Sequence, residues 1–277
     1  MKINMRTDYR IVDNLSRDGK LFAPLAHFAL TSADGAAAHR AHNELHALYH
    51  WPELQSQPGV AWGERWVRDP ACAAAGTKPA EGFDADYCAM YWLRAPALAS
   101  AQAFEAHFAR AAHLGMAEAP PRFADYMVPL KGYVRREPLV SDQALPFRPN
   151  KGIYLIVSRF RRHHDVESED VFRWYDQVRI PDMLDCPGAA GAWTFSARSL
   201  YSPTRDLSQP VIRIQLFYLD GDPVAFADAV REAEGGWRKA GRSRDTSAVE
   251  DLLFAGPLRA IVPWRWSWFD GETGGAR

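Results

Sequence analysis

Apolar and polar positions alternate along this chain in blocks of two periods. Residues 21–32 (LFAPLAHFALTS) form an apolar run of strand length, and 60–69 and 87–95 alternate as strands do. Between the first two lies 37–51, with helical spacing and Pro52 just beyond it to remove a donor and end the helix. Residues 100–116 read as a second amphipathic helix with Ser100 at its N-cap, and 122–136 closes as a strand. The order is β-α-β-β-α-β. The second half repeats it: strand 151–160, helix 167–184, strands 191–201 and 211–221, helix 222–241 and a last strand over 258–269.

The repeat reaches individual residues. PELQSQPG at 52–59 aligns with PDMLDCPG at 181–188, an offset of 129, and VPLKGYV at 128–134 with GPLRAIV at 256–262, an offset of 128. The pattern predicts an α+β protein of two tandem ferredoxin-like β-α-β-β-α-β domains, 21–136 and 151–270. A proline-rich linker (137–150) joins them, with an N-terminal extension (1–20) and a C-terminal tail (271–277) outside. Helices cover one face of each sheet, and the bare apolar faces must pack on each other. The product is an intrachain α+β barrel.

Composition removes whole classes of function. With 47% hydrophobic and 24% charged residues in 277, and a formal charge of −1, the chain reads as soluble and globular. It has no global attraction to nucleic acid or anionic membrane. No run of 18 apolar residues offers a membrane span, and the polar start lacks a signal core, so a cytoplasmic location is expected. Cys72, Cys88 and Cys186 are odd in number and far apart, which fits buried thiols and no disulfide framework. Glycine-rich phosphate loops and a nucleophile elbow are absent. Ten Trp and ten Tyr are many, fitting a filled core or an aromatic-walled cavity for a flat apolar ligand. Trp51, Trp62, Tyr49, Tyr126 and Tyr154 are the candidate walls.

The stretch AAAHRAHNELHALYHWPEL (36–54) is the richest in chemistry. On a helix, His39, His42, His46 and His50 fall within roughly 80° of one another. Ala37, Ala41, Leu45 and Leu48 occupy the opposite face, so the amphipathic pattern turns the histidines toward solvent. A functional stripe would need something to close over it. Zinc would need a third ligand, and HNELH places Asn43 where a metalloprotease has its glutamate. His46 and His50, one turn apart, are candidates to share or move a proton. His27 interrupts an apolar strand and needs a buried partner or a pocket. In the second half the equivalents of His46 and His50 are Tyr175 and Arg179, read either as surface ion pairing with Asp176 or as an anion-holding pair.

LYHWPELQSQPG and YDQVRIPDMLDCPG, each a helix ending near proline followed by Pro-Gly, resemble the dimeric α+β barrel superfamily, nearest its EthD-like branch. In that resemblance His50 takes the His-x-Pro position. Relatives build the barrel from two chains, so this chain looks like a fused version, itself a monomer or a homodimer. The superfamily holds cofactor-free monooxygenases, muconolactone-type isomerases, polyketide cyclases, haem enzymes and members of no settled activity. The resemblance implies a small-molecule enzyme: a lyase, isomerase or monooxygenase acting on an aromatic or hydrophobic metabolite. His50 and His46 would be catalytic, and His27, Tyr49, Trp51, Trp62, Tyr126, Tyr154, Tyr175 and Arg179 would hold substrate. No cofactor or metal is expected, with haem as the alternative, and a non-catalytic ligand-binding barrel is a third possibility.

Overall fold

The computed structural model describes residues 21–116, 120–135, 141–162, 165–197, 209–262 and 265–271. The expected extension at 1–20 and nearly all of the tail lie outside them. Eight strands form one closed antiparallel barrel: β1 (Leu25–Thr31), β2 (Val60–Val67), β3 (Tyr87–Leu93), β4 (Phe123–Val134), β5 (Gly152–Phe160), β6 (Ala189–Ala197), β7 (Val211–Leu219) and β8 (Glu250–Ala260). Around the barrel they run β1-β3-β2-β8-β5-β7-β6-β4. Each run of four thus shares one order, β4-β1-β3-β2 and β8-β5-β7-β6.

Strand alternation decides what each side chain does. On β1, Ala26, Phe28 and Leu30 point into the barrel, while His27, Ala29 and Thr31 point to the outer layer. The interior is filled by large rings from both halves. Trp92 meets Trp193 edge to face at 5.4 Å, and Phe28 meets Phe195 at 5.0 Å. Fully burying each such ring stabilises the fold by about 1.5–3 kcal/mol. Trp62 belongs to the rim of this interior, near Phe147.

The two seams between halves differ. β4 and β6 pair from Met127–Ala197 to Val134–Gly191. β2 and β8 pair only at Trp66–Ala260 and Val67–Arg259. Further along β8, the Thr77 and Ala80 amides donate to the Ala255 and Leu253 carbonyls, covering an open edge. The junction before β5 also crosses the halves. Asn150 accepts from Trp66 Nε1 at 3.0 Å and donates to Glu64 Oε1 at 2.7 Å.

Helices coat the outside. The first helical segment is α1 (Ala36–Leu45), a π-helical turn (His46–His50) and α2 (Trp51–Gln55), continuous through Pro52. Pro52 does not end the helix. The wide turn before it, closed by the Trp51 amide donating to the His46 carbonyl, relieves the clash that proline makes with an α-helical turn. A short α3 (Pro70–Ala75), capped by Asp69, follows β2. Next, α4 (Ala97–His113) starts after Pro96, so Ser100 is no N-cap; it is buried and packs against Gly59.

In the second half, α5 (Val166–Trp174), a π-helical turn (Tyr175–Arg179) and α6 (Ile180–Leu184) repeat the plan, and α7 (Pro223–Lys239) follows β7. Strand β8 lies earlier than the expected 258–269. Its Pro257 is tolerated because β2 does not pair there. No helix among the described residues is long and apolar enough to cross a membrane. The three cysteines are free and buried.

Candidate active site

The histidine face of the first helix points inward, against the amphipathic expectation. His39, His46 and His50 are 1%, 4% and 0% exposed, and Asn43 and Leu54 continue the buried stripe. Leu48 is 59% exposed, Ala37 and Ala41 are exposed, and Leu45 is half-buried. Helical spacing groups the histidines on one side of the axis, and it is this polar side that faces the sheet. Hydrogen bonds explain the inversion, because each of the buried polar side chains His39, Asn43, His46 and His50 meets a partner. His39 Nδ1 lies 2.8 Å from the Tyr87 hydroxyl, to which Asn43 Nδ2 donates at 2.9 Å. His46 Nε2 lies 2.8 Å from the Tyr91 hydroxyl. His50 Nδ1 lies 2.8 Å from His107 Nε2. His42 Nε2 reaches Thr31 Oγ1 at 3.3 Å. Tyr87 and Tyr91 project from β3 on its outer face, four residues apart, which is why both meet the helix.

Between this stripe, α4 and the outer face of the first four strands lies a cavity of about 380 Å³. Its polar lining is His27, Thr31, His42, His46, His50, Arg65, Tyr91, Tyr126 and one carboxylate, Glu105. The remaining wall is largely apolar, built from alanines, Phe104, Phe108, Pro120 and Pro121. Arg65 is a buried fixed charge, donating to Asn43 Oδ1 at 3.3 Å with its guanidinium over the Tyr87 ring. Burial, then the charges of Arg65, His50 and His107, hold the His46 imidazole well below its ordinary value near 6.5. At neutral pH His46 is therefore an unprotonated base. The His50–His107 contact requires one ring to donate and the other to accept, so a second extra proton on the pair sets two N–H groups face to face.

The ten residues singled out from sequence do not converge. His27, His46, His50 and Tyr126 line this cavity, and His27 lies 5.0 Å from Tyr126, ring to ring. Tyr49 stacks on His107 from behind. Trp51 is partly exposed and donates to the Gly63 carbonyl, and Trp62 faces the barrel interior. Tyr154, Tyr175 and Arg179 line a separate cavity in the second half. Arg179 pairs with Glu234 at 2.5 Å and not with Asp176, which meets Lys131 and Tyr133. The one-substrate grouping is corrected accordingly: a ligand in one cavity does not touch the other set.

Arg65, Tyr87, Tyr91 and His107 also belong to the site, and the spacing of the first helix does not point to them. Two had a signal. His107 falls in the buried stripe Ala97, Ala101, Phe104, Ala111 of α4. Arg65 stands on a strand face otherwise made of Val60, Gly63 and Val67, the bulge after Val60 turning Ala61 to the interior.

Among the described residues, no three His, Cys, Asp or Glu side chains are placed to hold a metal ion. A volume of about 380 Å³ lies at the small end of the about 300–1,000 Å³ of small-molecule pockets. It suits a compound of one to three rings.

No family model and no curated protein matches the sequence. Solved structures similar to this chain are of very low identity. A dye-decolorizing peroxidase from Bacteroides thetaiotaomicron is 7% identical, over 90% of this chain and 95% of that one, with a TM-score of 0.49. An anthrone oxidase-like protein is 9% identical over 86% and 91%, with a TM-score of 0.45. A dye-decolorizing protein from V. cholerae is 11% identical over 91% and 97%, with a TM-score of 0.40. At such identities these likenesses say nothing of chemistry, which has to be read from the cavity.

Proposed function

We propose that the chain is a fused pair of ferredoxin-like units of EthD-like kind, acting as a cofactor-independent enzyme on an aromatic or hydrophobic metabolite. The observation that carries this is the neutral His46 beside Tyr91, set with His50–His107 on one wall of an apolar-sided cavity. The apolar walls take the body of the substrate. As Tyr91 accepts a proton from the substrate's acidic C–H or O–H, its own passes to His46 Nε2, so no charge is stranded on the phenol. Arg65 supplies fixed positive charge for the enolate or phenolate so formed. His50 and His107, carrying one extra proton between them, deliver it to another carbon in an isomerase, and the proton left on His46, whose ring lies 6.0 Å from that of His50, restores the pair for the next turnover. In a monooxygenase the same anion would reduce dioxygen directly.

The test begins with a visible spectrum and metal analysis of untagged protein, followed by turnover assays on enolisable and phenolic aromatic compounds. A colourless, metal-free protein with turnover is expected. His46→Ala should lower kcat/KM by about 100-fold or more, the usual scale for a lost acid/base group, with KM little changed. A Soret band would overturn the cofactor-independent reading. Tight binding of aromatic compounds with no turnover would leave a ligand-binding barrel.

A further inference from the structure

The second half carries a cavity in the corresponding place, lined by different chemistry. It encloses about 400 Å³ between the outer face of β5 and β8, the second π-turn and α7. Tyr175 and Arg179, which line it, stand 129 residues after His46 and His50, and both pairs sit on π-turns followed by proline. Such turns break helical regularity and are common at functional sites. No histidine lines this cavity among the described residues.

What lines it is guanidinium. Arg179, Arg231 and Arg244 face the space with Glu234 as the one carboxylate. Each arginine is held in place beforehand. Arg179 pairs with Glu234 and lies over the Trp237 ring at 4.8 Å. Arg231 donates to Asp228 at 2.7 Å and to the Ala75 carbonyl at 2.9 Å. Arg244 donates to the Asp170 carbonyl at 3.1 Å. Tyr154 rises from β5 within the electrostatic reach of Arg179, Arg231 and Glu234, and burial pushes its hydroxyl above the ordinary value. Ile156, Val230, Leu252 and Ala255 supply an apolar side.

We infer that this second cavity binds an organic carboxylate, its head among Arg179, Arg231, Arg244 and Tyr154 and its apolar body along Ile156 and Val230. Planar forks of N–H donors suit a carboxylate, and fixing them in advance reduces the ordering cost of binding. A bare inorganic anion would leave the apolar wall uncovered. The inference stands apart from the chemistry proposed for the first cavity, since no residue lines both.

Calorimetric titration of the full chain with 1-naphthoate, its uncharged isostere 1-naphthamide, and inorganic phosphate tests it. Naphthoate should bind at least about tenfold more tightly than the amide, as a lost charge-assisted hydrogen bond predicts. Arg179→Gln should remove most of that preference. Arg231→Gln, on a side chain 61% exposed and so safe for folding, should weaken naphthoate several-fold. His46→Gln should leave naphthoate affinity unchanged. Equal affinity for acid and amide, or no binding of either, overturns the inference. So does loss of binding in His46→Gln alone, which would put the ligand in the first cavity. Phosphate competing as well as naphthoate would show a bare-anion site and overturn it too.

Discussion

Tyr87 supports the first cavity from the strand beneath it. Its hydroxyl serves His39 and Asn43 together, and its ring underlies Arg65. Tyr87→Phe should cost about 1–3 kcal/mol in urea unfolding at unchanged m-value, since two buried groups lose their shared partner. His46 predicts the pH response. Its folded pKa lies below the unfolded value near 6.5, so the unfolded chain takes up a proton first on acidification. This contribution to stability is complete above about pH 6.5 and falls away through the window below it. His46→Gln should flatten that part of a Tm-against-pH curve between pH 5 and 8; an unchanged slope would assign the acid sensitivity elsewhere. The rate should show the matching acid limb, because only the neutral ring accepts a proton.

The first helical segment explains what could and could not be seen in advance. Spacing fixes where His39, His46 and His50 lie around the helix axis, and the 129-residue offset places the second π-turn at the first one's equivalent. Inversion of the helix was not legible, because the amphipathic rule takes the larger apolar face to be the buried one. Here half of that face is alanine, whose exposure costs little, and its one large exposed member is Leu48. The compensating tyrosines come from β3, 44 to 48 positions away, and their alternation reads equally well as core packing. His107 was hidden in the same way, because a histidine within an apolar stripe looks like a tolerated polar residue until its partner is known. The close approach at Gly63 tests how this layer is set. A methyl group there would stand 2.3 Å from the Tyr91 ring, which is held by His46. Gly63→Ala should therefore reduce turnover together with His46→Ala, and a variant with full activity would show that Tyr91 can shift freely.

At the scale of the whole barrel, the unequal seams predict where it opens. The Ile261 amide, which donates to the Arg65 carbonyl across the short seam, should exchange with deuterium sooner than those of the long β4–β6 ladder; the reverse order would place the weak seam elsewhere. Glu64 sits at the short seam under Asn150, and burial raises its carboxyl to about 7. The unfolded chain loses that proton near the ordinary 4.5. The contribution is therefore complete below about 4.5 and lost as pH rises through about 7. Glu64→Gln should raise Tm at pH 8 and change it little at pH 5. One chain supplies all eight strands, and this has a hereditary consequence. In a barrel assembled from two identical subunits every substitution strikes both cavities at once, so neither can change without the other. Here position 50 and position 179 mutate separately. One pocket is free to keep its imidazoles while the other drifts to guanidinium, without a second gene.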